Sequence, residues 1–298
     1  MEPNPAQPAP PARVLLEGRY RKFVRDLPQT VFFCPRCKGR RGGCAHCGGF
    51  GKLTRDSVQE LIARRVLPRF RARKGKFHGA GREDLDVRML GGGRPFVYEV
   101  LKPRELAVDL AALARDVNEL GAGRIEVTAL VPVPRGRVAE LKETRCDKVY
   151  RALVSLPAAR LDAVRARVGQ DLEVTQRTPQ RVAHRRADKE RVRRVTVLSL
   201  EPFEDAVEVT LRCQHGTYVK EWISGEEGRS TPSLAELGGA AVRCLALDVV
   251  DVLGPFPPLE GREAPTFSSD PGWPLPPALA PSRWALRDDA VSGAAAEG

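Results

Sequence analysis

GKFHGAGREDLDVRMLGGGRPF, residues 75–96, is the stretch on which the reading of this chain turns. It sets Arg82, Glu83, Asp84, Asp86 and Arg88 among glycines, then passes through Gly91-Gly92-Gly93 into the apolar run RPFVYEVL at 94–101. Adjacent glycines permit left-handed backbone, so the pattern predicts a hairpin whose second arm is 94–101. Three acids within four positions can hold a metal, act as acid and base, or order a polar loop. Spacing alone does not choose among these. On a strand, Asp84 and Asp86 would share a face.

Working outward, apolar positions at Leu106, Leu110, Leu113, Val117 and Leu120 predict a helix stopped by Gly121. Runs at 124–133, 148–156, 193–201, 206–213 and 242–253 read as strands, and a further helix follows 156 with Leu161, Val164 and Val168 on one face. CQHGTYVKEW (213–222) reads as the end of an alternating strand, with Tyr218 and Lys220 on one face. Short connections between strands predict an α+β fold, a mixed and mostly antiparallel sheet flanked by helices. Residues 1–12 hold five prolines, and the composition turns Pro-rich again after Gly254. Both ends are expected to be disordered, although Phe256, Trp273 and Trp284 could dock locally.

Cys34-Pro-Arg-Cys37 and Cys44-Ala-His-Cys47 form CxxC-x6-CxxC among many glycines. Two such knuckles can close four thiolates around one ion with no open position, the signature of structural Zn²⁺. The competing reading is a pair of disulfides or a redox CxxC. The Pro-rich start, MEPNPAQPAPPARVLLEG, has neither a basic region nor an apolar core of an export signal, which weighs against that reading. His46 reads as a bystander.

With 49 Lys and Arg against 38 Asp and Glu, the formal charge is +11. Arg64, Arg65, Arg69, Arg71, Arg73, Lys74 and Lys76 form one basic run, and Arg181, Arg185, Arg186, Lys189, Arg191, Arg193 and Arg194 another. The bland reading is a solvated surface. Together with the cysteine cluster the runs point to nucleic acid, without saying which. No stretch is apolar enough for a membrane span. No GxSxG, HExxH or Walker-type loop is present, so hydrolase, zincin and NTPase readings lack support.

GKFHGAGREDLDVRMLGGGRPF, KVYRALV, RTPQRVAHRRAD and GTYVKEWISGEEGRSTPSL together closely resemble the archaeal- and eukaryotic-type tRNA pseudouridine synthases that act on uridines 54 and 55. The similarity runs from about Gly18 to about Leu259, and GTYVKEW is also similar to the GTYIR segment of bacterial T-loop enzymes. The resemblance implies a pseudouridine synthase fold carrying a small N-terminal four-cysteine zinc module. Asp84 matches the family's catalytic aspartate, Tyr150 the tyrosine that stacks on the target base, and Lys220 the basic residue paired with that aspartate. Leu247 matches, less closely, the apolar residue that closes the pocket. Arg82, Tyr218, Arg185, Arg186, Arg71 and Lys74 are expected to bind the RNA, and Cys34, Cys37, Cys44 and Cys47 the zinc. The implied division is a zinc module and linker at 13–60, a catalytic domain at 61–260 and a Pro-rich tail at 261–298. Many members carry a larger N-terminal RNA-binding domain, and only about thirty residues precede Cys34 here, so most of that domain is expected to be lacking. The expected protein is a cytoplasmic monomer that acts on the tRNA T-arm without an organic cofactor. A zinc-stabilised RNA-binding protein without catalysis is one rival. A Mg²⁺-dependent nuclease built on Glu83, Asp84 and Asp86 is another.

Overall fold

The computed structural model describes residues 12–254 apart from Arg41 and Arg185; the Pro-rich ends and their Phe256, Trp273 and Trp284 lie outside the described residues. β1 (Arg13–Lys22) precedes the cysteine segment, and α1 (Val58–Arg69) starts at Ser57, whose hydroxyl accepts the Glu60 N–H at 3.2 Å. β2 (Lys74–Gly79), β3 (Val87–Leu101), α2 (Leu110–Leu120), β4 (Ile125–Val127), β5 (Val131–Pro132) and α3 (Arg137–Glu143) follow. Next come β6 (Asp147–Val154), α4 (Leu161–Arg165), β7 (Asp171–Arg177), α5 (Gln180–Ala183) and β8 (Glu190–Phe203). β9 (Ala206–Cys213), α6 (Val219–Ser224), β10 (Ser230–Thr231), α7 (Leu234–Gly238) and β11 (Cys244–Leu253) complete the order.

One mixed sheet runs β10-β7-β8-β9-β6-β11-β3-β1-β4, with β2 also on β3 and β5 also on β1. Among the described residues only the β11–β3 pair is parallel, and helices flank the sheet, as the short connections predict. β1 pairs with β3 and β4 in this sheet, not with the cysteine segment that the division at 13–60 groups it with. Its backbone N–H and C=O groups find their partners on β3, β4 and β5, none of which belongs to the cysteine segment.

β3 stitches the sheet together. Its start runs parallel to β11, with Val87 beside Leu247 and Met89 beside Val249, while its end lies antiparallel between β1 and β2. The run 94–101 is indeed the second arm of a hairpin, antiparallel to β2, but the glycines are not its turn. While β1 advances from Tyr20 to Lys22, β3 passes from Arg94 back to Met89, so the glycines are a wide bulge within one continuous strand. Gly91 does take left-handed backbone, φ 53°. The reason is close approach: a Cβ there would lie 1.8 Å from the carbonyl oxygen of Val250 in β11.

Three other elements differ from the sequence reading. The helix begins at Leu110, because Asp109 caps it by accepting the Ala112 N–H at 2.9 Å, and Leu106 stays exposed. The 124–133 run breaks into β4 and β5 where the Thr128 hydroxyl accepts the Arg19 N–H at 2.8 Å. The helix after 156 ends at Arg165, leaving Val168 exposed.

Below the centre of the sheet, Asp248 of β11 is fully buried and accepts from three arginines. Arg88 donates through Nε and Nη2 at 2.9 and 2.7 Å, Arg25 at 2.7 Å and Arg151 at 3.4 Å. These bonds tie β3, β6 and β11 to the segment after β1. A carboxylate so surrounded offsets its own desolvation only while its partners remain.

Gly91→Ala is expected to cost roughly 2–4 kcal/mol in urea unfolding, combining left-handed strain with overpacking. Gly123→Ala, at φ 72° with nothing within 4 Å, is expected to lose only about 1 kcal/mol.

Candidate active site

The acid-bearing segment between β2 and β3 is a loop, not a strand: the Val87 N–H turns back to the Asp84 carbonyl at 3.2 Å. Asp84 and Asp86 therefore do not alternate, and each acid goes to a different destination. Glu83 turns inward, where Arg94 Nε donates to it at 2.7 Å and the Tyr20 hydroxyl at 2.7 and 2.9 Å. Burial pushes the Glu83 carboxyl up, but Arg94, Lys22 and the Tyr20 hydroxyl outweigh it and hold it below the usual carboxylate range. Asp86 takes the Lys220 ammonium at 2.7 and 2.9 Å, and this pairing outweighs partial burial to lower its pKa. Asp84 is left half-exposed, 3.3 Å from Arg181 Nη1 and 4.0 Å from Lys220 Nζ.

Lys22 anchors the loop from below. It is fully buried, and its ammonium donates to the carbonyls of Leu27 at 2.7 Å, Asp84 at 3.1 Å and Leu85 at 3.0 Å. Burial lowers its pKa to about 8, against the pull of Glu83 and Asp86. Above that pH the folded protein sheds a proton the unfolded chain keeps until about 10.5, so deprotonation relieves the cost of the buried charge while removing one donor from the loop.

Asp84 lies at a polar cleft of about 460 Å³ over β3, β11 and β6. Arg82, Asp84, Tyr150, Arg186, Tyr218, Lys220 and Leu247 all line it, together with Lys148, Arg181 and His215. Tyr150 stands on β6 opposite Val249 of β11, and Leu247 is buried beside Val87. Burial, with Cys213 nearby, pushes the Tyr150 phenol well up, so it is protonated at neutral pH. Burial and Arg94 lower Lys148 to about 8, and its ammonium donates to the Cys146 carbonyl at 2.8 Å.

Several expectations from sequence need correction here. Lys220 belongs to the first turn of α6, and Tyr218 is its N-terminal cap residue; β9 has already ended at Cys213. The nearest carboxylate to Lys220 is Asp86, and the cation nearest Asp84 is Arg181, which also bonds Glu221. Arg181 falls in the basic run and in the RTPQRVAHRRAD segment, but neither pairs it with Asp84, which lies far away along the chain. Lys22, Glu83 and Arg94 were missed as anchors for the same reason. Glu83 is spent on Arg94 and Tyr20, so the three acids do not converge as the nuclease reading requires.

Arg71 and Lys74 are not part of the cleft: they sit where β2 begins, at the opposite end from the acidic loop. Arg64 pairs with Asp56 and Arg69 with Asp116, so acids distant in sequence neutralise part of that run. Arg185 lies outside the described residues.

Away from the cleft, the sulfurs of Cys34, Cys37, Cys44 and Cys47 all lie within 4.8 Å of one another and could hold a metal ion. The donor set fits such an ion, because the Cys44 and Gly51 N–H groups each point at Cys47 Sγ from 3.2 Å. Burial raises the Cys47 thiol, yet those N–H groups bring it down to about 6. His46 is exposed.

A mixed-sheet α+β domain with an acid-and-arginine cleft, joined to a four-cysteine module, is the class this geometry defines. Residues 15–253 match the family described as Pus10, C-terminal, and the chain belongs to that family. It is 46% identical over 242 residues to a tRNA pseudouridine synthase Pus10 of Methanothrix thermoacetophila, covering 80% of this chain and 53% of that one. A relative of the same name from Methanothermobacter marburgensis is 45% identical, with 80% and 60% covered. One from Halorubrum lacusprofundi is 46% identical, with 83% and 60% covered. The chain thus spans little more than half the length of these curated relatives. A Cbf5-Nop10-Gar1 complex superposes with a TM-score of 0.37 at 17% identity, over 70% of this chain and 48% of that one, too slight to argue from. Among the described residues no helix is long and apolar enough to cross a membrane.

Lys22→Met is expected to leave three buried carbonyls short of a donor, costing roughly 1–3 kcal/mol. Amide hydrogen exchange should show lost protection at Asp84–Val87 with protection of β9 retained. Unchanged exchange in the loop would contradict the anchoring role.

Proposed function

We propose that this chain is a tRNA pseudouridine synthase, an isomerase that converts uridine to pseudouridine in the T-arm, at position 55 or 54, with Asp84 as its catalytic carboxylate. The observation that carries the reading is that Asp84 lines the cleft with a half-exposed carboxylate 3.3 Å from Arg181, whereas the Glu83 carboxylate is buried against Arg94 and Asp86, paired with Lys220, lies outside the cleft lining. The family membership and the names of the relatives support the reaction class. On this reading the enzyme is a cytoplasmic monomer, its catalytic domain extending over 61–260 together with β1.

The reaction breaks the N1–C1′ bond, turns the uracil, joins C5 to C1′ and passes the C5 proton to N1 or solvent. Atoms and oxidation state balance without a redox cofactor. Asp84 acts at the sugar side as nucleophile or base, with the Arg181 guanidinium at 3.3 Å and the Lys220 ammonium at 4.0 Å beside it. The uridine leaves its stack to enter the cleft, at a cost of a few kcal/mol. Stacking on Tyr150 offsets ~1–3 kcal/mol of that. As a neutral phenol, Tyr150 suits stacking and proton relay better than service as a standing anionic base. Leu247 closes the pocket, and Arg82, Arg186 and Tyr218 hold the flanking backbone. Cys34, Cys37, Cys44 and Cys47 would hold a structural Zn²⁺, which would stabilise the module and supply no chemistry to the isomerisation.

Tritium release from C5-labelled uridine in an unmodified tRNA transcript tests this. Wild type should release tritium, and Asp84→Asn should fall by about 10²–10⁴-fold or more. Asp86→Asn, which leaves the Arg181–Asp84 contact in place, should retain most of the release. Equal release by wild type and Asp84→Asn would move the role to another carboxylate. RNA binding without release by wild type would favour the non-catalytic RNA-binding protein.

Dialysis against a strong chelator, followed by metal analysis and circular dichroism, is expected to remove one zinc per chain and unfold residues 30–55. Unaltered structure after metal loss would refute a structural ion.

A further inference from the structure

Of the eight large apolar side chains exposed among the described residues, four belong to the cysteine module: Phe32, Phe33, Phe50 and Leu53. Phe33 is 58% exposed and Phe50 80%. None of the described phenylalanines elsewhere is exposed. Soluble proteins seldom leave aromatic rings concentrated in this way unless something covers them.

The setting of Phe33 indicates what does. Its ring lies flat enough on the backbone that a Cβ added to Gly39 would fall 2.5 Å from the ring atom Cδ1. Phe33 pairs across a short antiparallel bridge with Lys52, which keeps the ring fixed at the module's edge. Lys38 and Arg40 flank Gly39, and with Arg36 they are exposed and outside every ion pair among the described residues. From Leu27 through Arg55 the chain carries six Lys and Arg and no Asp or Glu. A protein-docking face would be expected to carry charges of both signs at its rim. Open rings set among uncompensated cations instead match the stacking-and-phosphate chemistry of unpaired nucleic acid. None of these residues lines the Asp84 cleft.

We infer that the cysteine module is a second RNA contact, stacking unpaired nucleotides on Phe33 and Phe50 while Arg36, Lys38 and Arg40 hold the neighbouring phosphates. The inference rests on the RNA-substrate reading above and adds to it a grip on the part of the RNA outside the target loop. Stacking is sequence-tolerant, so this contact strengthens binding without choosing the uridine.

The test uses the full chain, with fluorescence anisotropy on a labelled unmodified tRNA transcript and on its T-arm hairpin alone. Phe33→Leu keeps the packing on Gly39 but removes the π-face, and Phe50→Ser removes a side chain that packs little. Bound zinc and circular dichroism equal to wild type show that each variant is folded. The double variant should bind the tRNA about tenfold or more weakly and the hairpin as wild type does, with the salt dependence unchanged. Replacing Arg36, Lys38 and Arg40 with Gln should instead flatten the salt dependence on the tRNA. Unchanged tRNA affinity in both sets of variants overturns the inference. If that result came with a shift in sedimentation, the covering partner would be a second copy of the protein. Wild type binding neither RNA would overturn the function proposed above as well, so the two failures are distinguishable.

Discussion

The ion pair between Glu83 and Arg94 is the contact on which the site depends. Both side chains are almost wholly buried, and Arg94 Nε meets the carboxylate at 2.7 Å. Removing one partner from such a pair costs roughly 3–5 kcal/mol, because the other charge is stranded. The pair fixes the middle of the acidic loop to the first residue of β3 after the glycine bulge. Glu83 is drawn inward, and its neighbour Asp84 is left half-exposed at the cleft. Tyr20 and Lys22, both from β1, complete the cradle through the Glu83 carboxylate and the loop carbonyls. The strand that sequence reading grouped with the zinc module is therefore what positions the Asp84 loop.

The floor of the cleft obeys the same physics. Asp248 gathers Arg25, Arg88 and Arg151, and Arg25 also donates to the Asp86 and Leu247 carbonyls at 3.0 and 2.8 Å. Loop, floor strand and the apolar residue closing the pocket thus share one network of buried charge. Networks of this kind hold a single geometry because each partial state strands a charge. On the proposed reading, such rigidity serves to hold a turned base against its sugar.

Much of this was legible from residue order. The strand over Ala206–Cys213 and the four-cysteine cluster follow from alternation and spacing, and Asp84, Tyr150 and Lys220 do meet at one cleft. What could not be read is what depends on distant partners. Left-handed glycines serve a turn or a bulge equally well, and only the Val250 carbonyl pressing on Gly91 decides between them. Lys220 lies two positions after Tyr218 whether the segment is strand or helix, yet only the helix carries it to Asp86. The basic run at 64–76 looks unopposed until the fold brings Asp56 and Asp116 against it.

A buried acid, Glu83, aims an exposed one, Asp84. Single-turnover conversion of uridine in tRNA by Glu83→Gln tests it most directly, with RNA affinity measured alongside. The rate is predicted to fall by about 100-fold from misplacement of Asp84, with affinity for the RNA nearly unchanged. A wild-type rate, or a defect confined to affinity, would contradict it.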